Sequence, residues 1–208
     1  MLQDSNQVLA FLVSGWTFAW PTALLAIIWI AWLASWVAAS FWSARTQKQV
    51  LTAEASTYRI PIFAGGILFT PWLAQAFGIQ PLWRFGTPGI LVFALLTLAG
   101  ISFTWWARIH LGRFWSNTIT RKEDHRVIDT GPYGFVRHPI YTGLIAGMLA
   151  TGVAVGTVTA MLGAVLISLG MWQKARLEEG FLTTELGAEA YGLYRKRVPM
   201  LVPFLPGG

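Results

Sequence analysis

Pro139 to Trp172 runs for 34 residues without one charged side chain. Such a run constrains the fold more than any other feature, because about 20 consecutive apolar residues make one crossing of a bilayer. Its centre, Gly152 to Thr159, is rich in Gly, Thr and Val. That pattern predicts two short crossings joined by a tight turn. Val8 to Trp42 is also uncharged, longer than one crossing needs and too short for two with a turn. It reads as one span with an interfacial lead-in, which Pro21 ends or kinks and Trp16, Trp20, Trp29, Trp32, Trp36 and Trp42 anchor. Ile60 to Ile79 and Gly86 to Ala107 supply two further runs, the first interrupted by Gly65, Gly66 and Pro71.

The expected architecture is therefore an all-α integral membrane protein with about five transmembrane helices. It forms one membrane domain over 1–208: three spans in 1–107, a loop at 108–137, a helical hairpin at 138–175, and a C-terminal helix and tail at 176–208. The composition agrees, with 55% hydrophobic and 12% charged residues and a mean hydropathy of +0.54. A signal peptide would confine apolar character to the first ~15–30 residues, and here it recurs along the chain. A soluble helical protein is opposed by Gly86 to Ala107, whose only polar interruptions are Thr and Ser. A net charge of +6 raises the possibility of nucleic acid, but the basic residues sit between apolar segments and form no dedicated arm. Anionic lipid headgroups are the expected partner for them. The absence of cysteine excludes disulfides and thiolate chemistry, and His110, His125 and His138 have no metal-ligand spacing. No metal is expected.

Orientation follows from Lys and Arg. Arg45, Lys48 and Arg59 occupy the first loop, six basic residues occupy or flank 108–137, and five follow the last span. Only Arg84 falls on the other side. The N-terminus is expected outside, with the long loop and the C-terminal segment together on the cytoplasmic face.

Two clusters carry polar chemistry. GPYGFVRHPIYTG, residues 131–143, places Pro139 as the first helical residue and His138 as its cap. The N–H groups of Ile140, Tyr141 and Thr142 then lack intrahelical acceptors at the positive end of the helix, beside Arg137. The second cluster follows the fifth span. Glu178 and Glu179 sit within two turns of the membrane and point about 100° apart, so they should do different jobs. One can accept from a ligand; the other can pair with an Arg of the long loop. Phe181 to Val198 is amphipathic and reads as an interfacial helix that also covers the site.

HRVIDTGPYGFVRHPIY at 125–141, EEGFL at 178–182 and YGLYRKRVPMLVP at 191–203 together resemble the isoprenylcysteine carboxyl methyltransferase family, membrane enzymes related to phospholipid N-methyltransferases. RHPxY alone is shared with membrane sterol reductases, so an NADPH-dependent reductase is the alternative in another enzyme class; the paired Glu with the YRKRVP ending favours methyl transfer. A scaffold that binds anionic lipid is the non-enzymatic alternative. The resemblance implies S-adenosylmethionine as cofactor, a lipid or prenylated small molecule as acceptor, and an active site on the cytoplasmic face. It implies cofactor contacts from His125, Arg126, Val127, Ile128, Tyr133, His138, Pro139, Ile140, Tyr141 and Glu178, with Thr118 near the position of a further contact. The family's acceptor-side Arg, four residues before the first Glu, corresponds to Lys174, with Arg176 two residues on. A carboxylate acceptor needs only orientation by Lys174 or Arg176, whereas an amine acceptor needs a base such as His138.

Overall fold

In the computed structural model, residues 20–41, 46–49, 52–116, 119–122 and 127–205 are described. Of the first uncharged run, Trp20–Ala39 forms α1; the interfacial lead-in before it, with Trp16, and the anchor Trp42 lie outside the described residues. α2 spans Thr52–Phe69 and α3 Pro71–Ala76; α4 is Thr87–Leu111, α5 Pro139–Val155, α6 Val158–Leu186 and α7 Ala188–Arg197. Strands β1, Thr46–Gln49, and β2, Thr120–Lys122, pair antiparallel, with Thr46 opposite Lys122 and Gln49 opposite Thr120. The described fold is otherwise helical, as expected, and this short ribbon is an addition to it: it ties the first polar loop to the long loop through backbone bonds that periodicity does not announce.

Two helical segments, Thr87–Leu111 and Val158–Glu185, are long and apolar enough to cross a membrane; Ala23–Ala39 and Pro139–Val155 are shorter apolar helices. Three boundaries move from their expected places. α2 begins inside the stretch read as polar loop, at Thr52. Glu54 in its first turn suits the helix dipole, and Ala55 and Tyr58 are buried against Ile119 with Leu177 and Phe181 packed alongside. The run expected at Ile60 to Ile79 breaks at Thr70, whose extended backbone (ψ 132°) is what a following proline enforces. The third correction concerns the 175/176 boundary: α6 continues unbroken to Leu186 and ends at Gly187, where φ is +95°. Nothing between Lys174 and Leu186 breaks a helix except the tolerated Gly180, so both glutamates belong to the membrane helix itself.

α2 packs on α6, α6 on α5, α5 on α4, and α4 on α1. Glycine sets these approaches. A Cβ on Gly100 would lie 2.6 Å from the Gly143 carbonyl oxygen, and one on Gly65 would lie 2.7 Å from that of Gly163. Without water between helices, association depends on such contact and on hydrogen bonds across the seam. α1 supplies these through its indoles: Trp29 Nε1 donates to Thr151 Oγ1 and Trp32 Nε1 to Thr104 Oγ1, each at 3.0 Å. Arg108, fully buried at the end of α4, donates to the carbonyls of Gly112 (2.7 Å) and Ala39 (2.8 Å) and lies 4.4 Å over the Trp115 ring. It fastens the end of α1 to the segment entering the long loop. The hairpin turns at Gly156 (φ +72°), within the expected stretch.

Candidate functional site

The chain between α4 and α5 enters the site through a 3-10 turn, Gly131–Gly134. Gly131 has φ +58°, and a Cβ there would strike the His110 ring at 2.8 Å, so only glycine lets the turn pass under that imidazole. The turn delivers Tyr133 to the interior, 8% exposed, followed by Arg137 and His138. The next two backbone N–H groups are satisfied by the tail beyond α7. Arg137 N donates to Pro199 O at 2.8 Å and His138 N to Met200 O at 3.1 Å. His138 caps α5 as expected, without a side-chain cap bond. The helix end is less open than the sequence implied, since Thr142 N donates to His138 O at 3.0 Å.

The two glutamates divide their work as their angular separation requires. Glu179 is buried, and Arg137 grips it as a fork, Nε to Oε1 at 2.6 Å and Nη2 to Oε2 at 3.1 Å. The same guanidinium holds the C-terminal segment through Nη1, which donates to the carbonyls of Arg195 (2.9 Å) and Val198. Arg195 adds an ion pair to Glu179 at 3.5 Å. His138 Nε2 lies 3.2 Å from Glu179 Oε1. A carboxylate held by a guanidinium fork only accepts, so the imidazole presents Nε2–H to it. Glu178 turns instead toward Tyr141, whose hydroxyl donates to Oε2 at 2.7 Å. Tyr141 stacks on His138, with centroids 5.4 Å apart and planes 5° from parallel. Motifs 37 positions apart thus meet at one point.

A cavity of about 470 Å³ opens at that point. Its size suits one small-molecule ligand, in the range of about 300–1,000 Å³. Val127, Ile128, Tyr133, His138, Pro139, Ile140, Tyr141, Lys174 and Glu178 line it. Thr118, His125 and Arg126 lie outside the described residues. Arg176 is not brought to the cavity: its guanidinium lies over Trp172 at 5.2 Å on the exposed side of α6. Of the two basic residues offered to orient an acceptor, the helix can turn only one inward, because positions two apart point about 200° apart. Lys174 does face inward, its ammonium 5.3 Å from the Tyr141 ring centre and 5.5 Å from that of Tyr58.

Several lining residues were not legible as site residues. Trp32 and Trp36 of α1, Trp115, and Tyr191 and Tyr194 of α7 complete the wall. The signal for the first two was the i, i+3, i+7 spacing of Trp29, Trp32 and Trp36, which marks one helix face but equally fits interfacial anchors. Burial pushes the Tyr133, Tyr191 and Tyr194 phenols above their usual range. They therefore stay neutral donors; Tyr194 uses its hydroxyl on Tyr133 O at 2.8 Å, joining α7 to the turn. Among the described residues no cluster of His, Asp and Glu is arranged to hold a metal ion. The donor set fits an amino-acid-bearing cation such as S-adenosylmethionine: a carboxylate, a lysine and several aromatic faces around one cavity.

The isoprenylcysteine carboxyl methyltransferase family model matches residues 92–184, which include α5, most of α6 and the cavity's polar half. Protein-S-isoprenylcysteine O-methyltransferase B of Arabidopsis thaliana is 31% identical over 145 residues, 67% of this chain and 66% of that one. The Schizosaccharomyces pombe protein-S-isoprenylcysteine O-methyltransferase is 33% identical over 106 residues, 48% of this chain and 43% of its own. Methanethiol S-methyltransferase 1 of Bradyrhizobium diazoefficiens is 31% identical over 182 residues, 79% of this chain and 59% of that relative. The chain thus spans less than two thirds of the length of each of these relatives. The family match covers Arg137, His138, Tyr141, Glu178 and Glu179, and these are the residues that meet in space; the chain belongs to the isoprenylcysteine carboxyl methyltransferase family.

Proposed function

We propose that the chain is a membrane methyltransferase that takes its methyl group from S-adenosylmethionine and passes it to an apolar acceptor, a lipidated carboxylate in the first instance. The observation that carries the reading is the 2.7 Å bond from Tyr141 to Glu178 in the lining of one cavity, since it unites the family's two motifs. S-adenosylmethionine, when bound, supplies a methyl group on a sulfonium centre. Glu178 accepts from the polar groups of that ligand, and Tyr133, Tyr141 and Tyr191 give it aromatic walls. Lys174 orients an anionic acceptor, and its charge without the bidentate fork of arginine makes that grip less directional. The Glu179–Arg137 pair acts at one remove: it fixes His138 and closes α7 over the cavity.

Five crossings, with the N-terminus outside and the site on the cytoplasmic side, suit this function. The cofactor then enters from water while the acceptor arrives within the bilayer, and the basic loops meet anionic headgroups. A second reading is a small thiol acceptor. It is favoured by the methanethiol S-methyltransferase match, which at 79% of the chain necessarily includes α2. A thiol must lose its proton to react. With Nε2–H donated to Glu179, Nδ1 of His138 is the ring atom left to take it.

Titration of S-adenosylhomocysteine into the purified protein is the test. Saturable binding is expected. Glu178→Gln should weaken it about 10- to 100-fold, the value of a lost hydrogen bond to a charged group. Lys174→Met should leave that affinity within a few-fold and lower methyl transfer, and Arg176→Ala should change neither. No binding of S-adenosylhomocysteine, with thermal protection by NADPH instead, sinks the proposal in favour of a reductase.

A further inference from the structure

Trp29, Trp32 and Trp36 share one face of α1, but only Trp32 and Trp36 line the cavity. Trp29 lies one turn further along, against the same apolar cluster. There its ring rests on α5 at Gly147, where a Cβ would come within 3.3 Å of Cη2 and Cζ2. Its Nε1 donates to Thr151 Oγ1 at 3.0 Å. Thr151, 3% exposed, is itself fixed by a bond to Gly147 O at 2.8 Å and a contact with Thr97 Oγ1 at 3.1 Å. The indole is thus held at its six-membered ring and at its nitrogen. Beyond it α5 and α6 close on each other, since a Cβ at Gly152 would stand 3.2 Å from that of Ala164.

An apolar chain leading from Lys174 over Leu144 and Trp32 therefore meets a fixed ring. We propose that Trp29 is a specificity-determining residue, the stop that sets how much of an acceptor's apolar tail the protein itself holds. The proposal rests on the reading above that Lys174 holds the acceptor's polar head in this cavity, beside the cofactor. Leu33 and Val37, which border the cavity from α1, are 56% and 55% exposed, so a longer tail leaves sideways over them. Carbon atoms beyond that point lie in lipid and gain no protein contact. The acceptor class recognised is a reactive polar head on a short gripped stem, and tail length past the stop is not read.

The test compares wild type with Trp29→Ala in affinity for N-acetyl-S-alkyl-L-cysteines bearing ethyl, butyl, octyl and dodecyl groups, without cofactor. Partition of the tails into detergent is common to both proteins and cancels in the ratio. The ratio of wild-type to variant Kd is expected to stay within about twofold for ethyl and butyl. For octyl and dodecyl it should rise to about tenfold, as the tail fills the space that truncating a large side chain leaves unpacked. Trp29→Phe keeps a ring over Gly147 and should hold the ratio near one at every length. S-adenosylhomocysteine binding reports whether each variant is folded, with Trp29→Leu as the substitute where the alanine variant loses it. A ratio that does not change with chain length overturns the proposal, as does a failure of wild type to bind any of the four. Failure of wild type to bind S-adenosylhomocysteine counts against the methyltransferase reading alone.

Discussion

Glu179→Ala is expected to lower stability by about 3–5 kcal/mol, because it leaves the Arg137 guanidinium buried without its carboxylate. Both side chains are nearly closed to solvent, 3% and 6% exposed. The damage should spread beyond the pair. Arg137 also carries the carbonyls of Arg195 and Val198, and His138 loses the acceptor for its Nε2–H. α7 then loosens and takes Tyr191 and Tyr194 out of the cavity wall. The measurement is thermal and denaturant unfolding in detergent beside S-adenosylhomocysteine titration, with both expected to fall together. Arg197→Ala is the control. It removes an ion pair with Asp129 of 2.5 Å whose side chains are 65% and 42% exposed. Such solvated pairs contribute less than about 1 kcal/mol. Equal losses in the two variants would show that burial does not give the Arg137–Glu179 pair its weight.

Gly143→Val should prevent assembly of the native bundle. A Cβ at this position meets Gly100 O and lies 2.8 Å from Thr104 Cγ2, so α4 and α5 must separate. Overpacking of this kind costs about 1–3 kcal/mol, and more where backbone opposes backbone. Separation also pulls Thr104 from Trp32, losing a hydrogen bond of about 1 kcal/mol. The expected outcome is a protein that elutes as aggregate on size exclusion and shows no cooperative melting. Gly66→Ala provides the contrast, because nothing lies within 4 Å of a Cβ there. Alanine in that exposed helical position should be neutral or stabilise by about 0.5–1 kcal/mol. Similar behaviour of the two variants would remove the close α4–α5 approach from the account of the fold.

What the chain reveals without its coordinates is what physics decides over a few residues. Proline needs no N–H at a helix start and straightens the residue before it, so His138 and Pro139 mark the beginning of α5. Adjacent helical positions diverge by about 100°, so Glu178 and Glu179 had to find different partners. Uncharged runs mark where α1, α4, α5 and most of α6 lie. Distance along the chain hides the rest. Helix geometry places Lys174 and Arg176 on opposite faces, yet only packing against α2 and α5 decides which face is inside. The continuation of α6 to Leu186 depends on Leu177 and Phe181 burying against Ala55 and Tyr58, more than a hundred positions earlier. Likewise the tryptophans of α1 become cavity wall and tail stop only because Thr104, Gly147 and Thr151 come to meet them. Local backbone preference is written in neighbouring residues, whereas the close contact that turns a helix face into a site is created by another segment's arrival.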